Sequence, residues 1–216
     1  MQTSTPSICP LCQSDEHHLF YRDQLRSFLH CQRCSLVYVP SCYHLGAEQE
    51  KAEYDLHQNR PDDQGYRKFL NRLCAPLIER LTPKSHGLDF GCGPGPTLSL
   101  MLEELGHHVS LFDIYYCNTP EVLNKPYDFI TATEVIEHLS KPAEVLDKLW
   151  QQIKPGGYLA IMTKLVINQQ RFACWHYKND RTHISFFSQA TFNYFFSNKN
   201  AYIEYLGDDV IIINKS

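Results

Sequence analysis

Residues 88–97 read Leu-Asp-Phe-Gly-Cys-Gly-Pro-Gly-Pro-Thr, a turn with glycines at alternate positions and two prolines. A short apolar segment precedes the turn, and a helix-like segment follows it from Thr97. Glycine has no Cβ, so such a turn can bend sharply and a ligand can approach its backbone. A strand, a glycine-rich turn and a helix in this order predict a nucleoside- or nucleotide-binding loop at the edge of an α/β sheet.

The glycine spacing and one acidic residue indicate which ligand the turn would bind. A dinucleotide-binding loop reads Gly-x-Gly-x-x-Gly and holds a pyrophosphate at the helix N-terminus. Here the glycines alternate at 91, 93 and 95, and Asp113 ends the next predicted strand. A carboxylate in that position can accept hydrogen bonds from both hydroxyls of a ribose. The pattern therefore favours a ligand that carries adenosine and an amino acid but no phosphate.

Strand-like and helix-like segments alternate from Gly87 onward. The predicted strands are 87–90, 108–113, 127–133 and 158–163, the predicted helices are 97–105, 142–153 and 189–196, and the predicted closing hairpin pairs 202–206 with 210–214. Upstream, residues 45–80 have a helical pattern, which Pro61 and Gly65 are expected to divide into two helices. Strands separated by helices predict a parallel sheet covered by helices on both faces.

Three segments, taken together, resemble the class I S-adenosylmethionine (SAM)-dependent methyltransferases. They are the glycine turn with Asp113, the stretch from Tyr127 to His138, and the Lys-Pro-Gly-Gly turn at 154–157. The match covers about residues 50–216. It implies a three-layer, Rossmann-like α/β domain with a seven-stranded sheet, a terminal antiparallel hairpin and SAM at the carboxyl ends of the first strands. It assigns SAM contacts to Asp89, Gly91, Cys92, Gly93, Gly95, Asp113, Ile114, Thr133, Glu134, Val135, Tyr66 and His57.

One part of the chain is short for this family. Only thirteen residues separate Asp113 from Tyr127, and a parallel crossover by itself needs about a dozen or more. We therefore expect the third strand to be missing or vestigial, with Tyr115, Tyr116 or residues 121–123 covering the adenine side of the pocket. Residues 54–59 are expected to form a lid over the methionine moiety, with an ordinary helix junction as the alternative.

Two Cys-x-x-Cys pairs, formed by Cys9, Cys12, Cys31 and Cys34, frame the N-terminal segment. Their spacing predicts a structural, zinc-ribbon-like site with four thiolate ligands. So short a segment buries little apolar surface, so the metal would supply its folding energy. Buried thiols without metal are the alternative. The module is similar to zinc-binding modules of certain ribosomal-RNA and deoxysugar methyltransferases, and this resemblance implies that it contacts the substrate. A structural lid is an equally consistent role for it.

Composition narrows the class of protein. The formal net charge is −4, and 43% of residues are apolar. A long nucleic-acid footprint usually needs a basic excess. Nine cysteines, an odd number, together with no recognisable secretion signal or membrane-spanning run, favour the cytoplasm.

We expect a zinc-binding module at 1–42, a helical linker or lid at 43–84 and the methyltransferase domain at 85–216.

The candidate catalytic groups are Glu137, His138 and His183. The methyl group of SAM is already activated, so a base is needed only if the acceptor must lose a proton. We predict His183 as the general base. In small-RNA 2′-O-methyltransferases and ubiquinone-pathway O-methyltransferases, a string similar to Glu134-Val-Ile-Glu-His138 helps bind a divalent metal, so Mg²⁺ or Mn²⁺ is the alternative. In many metal-free relatives the same string orders the loop and contacts the cofactor.

The acceptor is expected beside the loop after the fifth strand of the family fold, where Trp175, His176 and Tyr177 can stack on a planar molecule. The Asn/Asp-Pro-Pro-aromatic string typical of exocyclic-amine methylation is absent. We predict methyl transfer to an oxygen or nitrogen of a small molecule or modified sugar, with a short RNA or a protein segment as alternatives. The alternative functions are a non-catalytic cofactor-binding or zinc-mediated interaction protein, and a metal-assisted O-methyltransferase acting on a short RNA or small molecule. The glycine spacing disfavours a nicotinamide oxidoreductase.

Overall fold

The computed structural model describes residues 7–56 and 60–216, which form two β-sheets with six α-helices. The strands are β1 His17–Arg22, β2 Ser27–Cys31, β3 Val37–Tyr38, β4 His86–Phe90, β5 His108–Phe112, β6 Tyr127–Thr133, β7 Ile153–Met162, β8 Ser185–Phe186, β9 Ala201–Leu206 and β10 Val210–Lys215. The helices are α1 Ala47–Tyr54, α2 Gln64–Ile78, α3 Thr97–Glu104, α4 Pro142–Gln152, α5 Gln169–Ala173 and α6 Gln189–Phe196.

The larger sheet has the order β5-β4-β6-β7-β10-β9. Its first four strands are parallel, and β10 and β9 form an antiparallel hairpin against β7. Helices α2 and α3 pack on one face through Leu73, Leu98 and their neighbours. Helices α4 and α6 pack on the other face through Leu149, Phe192 and their neighbours. This confirms the predicted three-layer, Rossmann-like α/β fold with a terminal hairpin.

The predicted loss of the third strand is also confirmed. Residues 113–126, all of which the structure describes, contain an isolated bridge between Asp113 and Cys117 and a 3-10 helix at Pro120–Asn124. The larger sheet therefore has six strands within the described residues, and β5 lies at its edge. A connection of this length has room for a turn and one short helix but not for a complete crossover.

Two details of the predicted elements were wrong. Gly65 lies inside the first turn of α2, because the Asp63 carboxylate caps that helix and accepts from the backbone N–H groups of Gly65 and Tyr66 at 2.7 and 3.2 Å. Strand β7 begins at Ile153, and the Pro155-Gly156-Gly157 turn lies within it, where its pairing with β6 is irregular. The cap predicted at Ser188 is confirmed as a capping box with Thr191.

The smaller sheet is antiparallel, in the order β1-β2-β3-β8. Its fourth strand comes from the C-terminal part of the chain, with Val37 paired to Phe186 and Tyr38 to Ser185. The division into 1–42, 43–84 and 85–216 remains a prediction, and this sheet joins its first and last parts. Within the described residues, no helix has the length and apolar character needed to cross a membrane.

Candidate active site

A cavity of about 520 Å³ lies at the carboxyl ends of β4, β5 and β6, partly covered by residues of α1 and α2. The turns that follow these three strands form most of its wall. Of the predicted site residues, those that line the cavity are Gly91, Cys92, Gly93, Asp113, Ile114, Thr133, Glu134, Val135, Tyr66, His138 and His183. Asp89, Gly95 and Glu137 lie outside its wall, and His57 lies outside the described residues.

The glycine turn is bound to the end of β5. The backbone N–H groups of Gly91 and Cys92 both donate to the carbonyl of Phe112, at 2.7 and 3.2 Å. Gly91 and Gly93 have positive φ angles of 75° and 65°, which residues with a Cβ rarely adopt. A Cβ on Gly91 would also lie 2.4 Å from Cγ2 of Val135. This turn therefore needs glycine both for its backbone conformation and for its approach to the β6 loop.

Asp113 faces the glycine turn. Its Oδ2 accepts from the backbone N–H of Gly93 at 3.0 Å, and its Oδ1 accepts from the N–H groups of Tyr115 and Tyr116 at 2.8 and 3.1 Å. A carboxylate offers about four acceptor positions, so three are occupied in this conformation. One acceptor position of Asp113 remains for a ribose hydroxyl. For Asp113 to accept from both hydroxyls, one of its three hydrogen bonds from backbone N–H groups must break. The assignment of Asp113 to ribose remains a prediction.

Asp89 lies behind the turn rather than in the cavity. Its side chain is buried, and its Oδ1 accepts from the hydroxyl of Thr131 at 2.8 Å. Burial raises the pKa of Asp89 to about 6, opposed by the Thr131 hydrogen bond and reinforced by the charge of Asp113. In this geometry Asp89 joins β4 to β6 beneath the loop, and a SAM contact made by its side chain remains a prediction.

Glu134, in the part of the cavity wall that follows β6, has an unusual backbone conformation and a buried carboxylate oxygen. Glu134 has a positive φ of 53°, an uncommon conformation for a residue other than glycine, and such residues cluster at functional sites. Burial raises the pKa of Glu134 to about 6, while Lys164 and Tyr177 lower it. Its buried Oε1 atom has no hydrogen-bond partner among residues 7–56 and 60–216. This oxygen is a candidate acceptor for a cationic or hydrogen-bonding group in the cavity.

Glu137, His138 and His183 come together at one side of the cavity. They offer one ligand atom each, and these atoms all lie within 4.8 Å of one another. Nδ1 of His138 is 3.2 Å from the carbonyl oxygen of Thr182, and Nδ1 of His183 is 2.7 Å from that of Tyr177. Because a carbonyl only accepts, Nδ1 carries the proton in both rings, and Nε2 is then the basic nitrogen.

Glu137 is completely buried and receives a hydrogen bond from the hydroxyl of Tyr177. Burial and the charge of Glu134 raise the pKa of Glu137 to about 8, although the Tyr177 hydroxyl lowers it. Its second oxygen, Oε2, is buried and has no hydrogen-bond partner in the described part of the chain. Glu137 is thus placed to support the histidines from behind the cavity wall.

An arginine of the N-terminal module holds the loop that contains His183. The buried guanidinium of Arg26 donates to the carbonyls of Lys178 and Asp180, at 2.6 and 2.5 Å. It also donates to the carbonyls of Arg181 and His183, at 3.1 and 3.0 Å. Sequence reasoning missed Arg26, because these contacts span more than 150 residues and no local motif indicates them.

Two further residues of the cavity were not predicted. Glu50 in α1 accepts from the hydroxyls of Tyr54 and Tyr115, both at 2.8 Å, and so ties α1 to the loop that replaces the third strand. Lys164 follows β7, and its Nζ lies 3.3 Å from Nε2 of His176. The expected covering by Tyr115 and Tyr116 is consistent with their position in the cavity wall.

The four cysteines of the N-terminal module lie close enough together to hold one metal ion. All four Sγ atoms lie within 4.8 Å of one another, with Cys9–Cys34 at 3.5 Å and Cys12–Cys31 at 3.4 Å. Zinc–sulfur bonds of about 2.3 Å imply sulfur–sulfur distances of about 3.8 Å, whereas a disulfide bond is about 2.05 Å. These four residues therefore fit zinc.

The two Cys-x-x-Cys segments, 9–12 and 31–34, are followed by turns with the same backbone hydrogen bonds. Cys9 accepts from the N–H of Gln13 and Cys31 from that of Ser35, both at 3.0 Å. Each first cysteine also donates, at 2.9 Å, to the carbonyl five residues later, and both Gln13 and Ser35 have φ near 60°. This repeated geometry brings both Cys-x-x-Cys pairs to one point.

Comparisons with known proteins agree with this site. Residues 66–205, well over half of the chain, match a family model described as a methyltransferase domain. The chain belongs to this family. It therefore contains a SAM-dependent methyltransferase domain, and its glycine turn, Asp113 and β6 loop all lie within the matched residues.

Individual relatives are more distant. The ubiquinone biosynthesis O-methyltransferase of Coxiella burnetii (strain Dugway 5J108-111) is 30% identical over an alignment 156 positions long, which covers 58% of this chain and 65% of that protein. The chain thus spans just under two thirds of that relative. The 1,6-didemethyltoxoflavin-N1-methyltransferase of Burkholderia thailandensis, solved with its substrate and S-adenosylhomocysteine, has a TM-score of 0.52 at 15% identity and covers 93% of this chain and 99% of that one.

A methyltransferase of calicheamicin biosynthesis, also solved with S-adenosylhomocysteine, has a TM-score of 0.51 at 12% identity, covering 70% of this chain and 55% of that one. At these identities the two structures support the fold alone.

Proposed function

We propose that this protein transfers the methyl group of SAM to an oxygen or nitrogen of a small, planar molecule, and that zinc bound by its four N-terminal cysteines is structural. The main support is the open cavity at the ends of β4, β5 and β6, in which Asp113 and the glycine turn face each other. A cavity of this kind, at the carboxyl ends of parallel strands, is the usual ligand site of an open α/β sheet. The match to the methyltransferase-domain family also supports methyl transfer.

SAM supplies a methyl group on a positively charged sulfur, so the protein mainly has to bind and align the reactants. In the proposed site the glycine turn and Asp113 hold the nucleoside, and Glu134, Val135 and Thr133 flank it. His183 lies across the cavity, with Nε2 as its basic nitrogen, and Asp180 Oδ2 lies 3.7 Å from that atom. A proton released by an acceptor hydroxyl or amine would pass to this nitrogen, and Asp180 would stabilise the resulting imidazolium.

A metal-assisted variant of this reaction has specific structural support. Histidines that bind metals commonly donate their second ring N–H to a backbone carbonyl, as His138 and His183 do here. Glu137 would complete a set of two imidazoles and one carboxylate, a mixed nitrogen and oxygen set that divalent transition-metal ions use, and Mn²⁺ serves as the test ion. If this proposal holds, a mild chelator that leaves the thiolate-bound zinc in place will abolish turnover and Mn²⁺ will restore it. Turnover unchanged by the chelator would leave His183 as a general base.

Calorimetric titration of the zinc-loaded protein with S-adenosylhomocysteine, SAM and NAD tests cofactor use. Binding of the first two but not of NAD is expected. Asp113→Asn should weaken S-adenosylhomocysteine binding about tenfold, because a charge-assisted hydrogen bond contributes about 1.5–3 kcal/mol. Asp62→Asn, at an exposed aspartate outside the cavity, is the matched control. Equal binding by the Asp113 variant and the parent would overturn the proposed nucleoside site.

Binding alone does not separate an enzyme from a non-catalytic cofactor-binding protein. Transfer of tritium from methyl-labelled SAM to a panel of hydroxylated and aminated ring compounds makes that distinction. Labelled product should form with at least one member of the panel and should be lost in His183→Ala. Tight cofactor binding without transfer to any candidate acceptor would favour the interaction-protein alternative.

A further inference from the structure

A second and larger cleft, of about 1210 Å³, lies beside the cofactor cavity. Its walls come from five separate parts of the chain: the N-terminal module, Arg72 of α2, the segment after β7, residues 188–190 at the start of α6, and the turn between β9 and β10. The two spaces share one residue, Lys164, which lines both. A molecule in the larger cleft can therefore extend past Lys164 towards the cofactor cavity.

Only one of the basic residues that line this cleft forms an ion pair with another described residue. Arg72 forms an ion pair with the buried carboxylate of Asp209, so these two charges offset each other. Lys164 and Arg171 also line the cleft, and neither forms an ion pair with any carboxylate in the described part of the chain. Asp208 is the remaining acidic residue of the cleft, and it is exposed. Arg171, and Lys164 with its charge also acting on Glu134 in the cofactor cavity, thus face a space with one exposed acid.

The same cleft has aromatic walls. Phe20 and His30 come from β1 and β2 of the N-terminal module, and their rings stack with centroids 5.5 Å apart. Trp175 lines the cleft from the segment after α5. Aromatic rings of this kind bury planar ligands efficiently, whereas lysine and arginine attract and hydrogen-bond carboxylate or phosphate groups.

We propose that this second cleft is the acceptor site of the enzyme, that it takes a planar aromatic acid, and that the N-terminal module forms one of its walls. The acid group would pair with Arg171, and the ring would lie against Trp175 and Phe20. The position of Lys164 then places the far end of the acceptor at the cofactor cavity. This inference rests on the proposed methyltransferase function, whereas the anion and aromatic preferences rest on the cleft alone.

The chain contains two tryptophans, and this makes a direct test possible. Trp150 is almost completely buried against Phe196 in the domain core, so Trp150→Phe leaves Trp175 as the only tryptophan reporter. The probe is 4-nitrobenzoate, a planar aromatic acid whose nitro group quenches indole fluorescence on contact. 4-Nitrobenzamide is its neutral counterpart. Both are titrated into the zinc-loaded variant, saturated with S-adenosylhomocysteine.

Saturable quenching by 4-nitrobenzoate is expected, with an affinity about tenfold higher than that of the amide, because the carboxylate can form a charge-assisted hydrogen bond with Arg171 and the neutral amide cannot. Adding Arg171→Gln should remove most of this difference. Arg171 is exposed, so its replacement is not expected to affect folding. Lys148→Gln removes an equal charge from an exposed site on α4, outside both cavities, and should leave the difference unchanged.

Equal affinities for acid and amide, or quenching that rises linearly without saturation, would overturn this proposal. The same holds if Arg171→Gln and Lys148→Gln have equal effects. Calorimetry of S-adenosylhomocysteine with the same samples separates the two proposals. Normal cofactor binding without saturable quenching refutes the acceptor cleft alone, whereas loss of cofactor binding in the parent protein refutes the proposed function.

Discussion

Asp89 shows how a single buried group makes stability depend on pH. Its carboxyl group has a folded-state pKa of about 6 because burial disfavours the charged form. In an unfolded chain the pKa of an aspartate is about 3.9. As pH rises from about 4 to 6, the unfolded chain releases this proton first, so the free energy of unfolding falls across that window and stays lower above it.

Asp89→Asn should therefore stabilise the protein above pH 6. Asparagine cannot ionise, yet its Oδ1 can still accept the hydrogen bond from Thr131. A shift of about two pKa units corresponds to about 3 kcal/mol at most, so we expect a gain of about 1–2 kcal/mol at pH 8 and no gain at pH 4. Urea denaturation at the two pH values measures this. An Asn variant less stable than the parent at pH 8 would contradict it, and Asp15→Asn, at an exposed site, is the control.

Gly91 and Gly106 allow backbone strain to be separated from crowding. Both have positive φ, 75° and 87°, but a Cβ on Gly106 meets nothing within 4 Å, whereas one on Gly91 meets Val135. Gly106→Ala should cost about 1 kcal/mol of unfolding free energy and leave S-adenosylhomocysteine binding unchanged. Gly91→Ala should cost more and weaken binding at least tenfold, because Val135 lines the cavity. Equal binding by both variants in calorimetry would show that the turn does not shape the cofactor site.

Among the secondary-structure elements, those with local sequence signals were predicted best. Residues 127–133 have the apolar composition of a strand buried on both faces, and the bounds of β6 agree with the prediction. Ser188 was identifiable as a cap because hydroxyl side chains at that position satisfy free N–H groups. Gly65 was misassigned because the same kind of cap, at Asp63, starts α2 before the glycine.

The residues that sequence reasoning missed act through distant contacts. Glu50, Lys164 and Arg26 carry no motif, and each obtains its role from a partner brought near by folding. The cofactor turn could be predicted because one continuous segment supplies the strand, the turn and the helix. The second cleft could not, since its walls come from five segments that meet only in the folded chain.

Arg26 connects the N-terminal module to the loop at residues 178–184, and its replacement should loosen that loop. Lysine keeps the charge but has one ammonium group in place of the planar fork that reaches four carbonyls. For Arg26→Lys we expect a loss of about 3 kcal/mol in unfolding free energy, because at least one hydrogen bond from a charged group, worth about 1.5–3 kcal/mol, is lost, and faster amide hydrogen exchange in residues 178–184. Arg33→Lys, at an exposed arginine of the same module, should change neither quantity. Unaltered exchange in 178–184 would show that Arg26 does not hold this loop.

For the whole molecule, zinc removal should affect the N-terminal module more than the cofactor site. Structural zinc contributes on the order of 10 kcal/mol to the folding of small modules. A strong chelator under reducing conditions should therefore lower the melting temperature and expose the amides of residues 9–38 to exchange. S-adenosylhomocysteine binding should persist, because β4, β5, β6 and their turns supply most of that cavity's wall. Unchanged exchange after zinc loss would indicate that the cysteines are simply buried thiols.

The pairing of β3 with β8 has a consequence for biosynthesis. Val37 and Tyr38 meet partners that lie almost 150 residues later in the chain. A ribosome adds about 5–20 residues per second, so the N-terminal strands wait on the order of ten seconds before their last neighbour emerges. During that interval the open side of β3 can pair with another nascent chain. Early metal capture by the cysteines would order β1–β3 without covering this edge, so the rate of elongation up to Phe186, rather than metal supply, sets how long the edge is exposed.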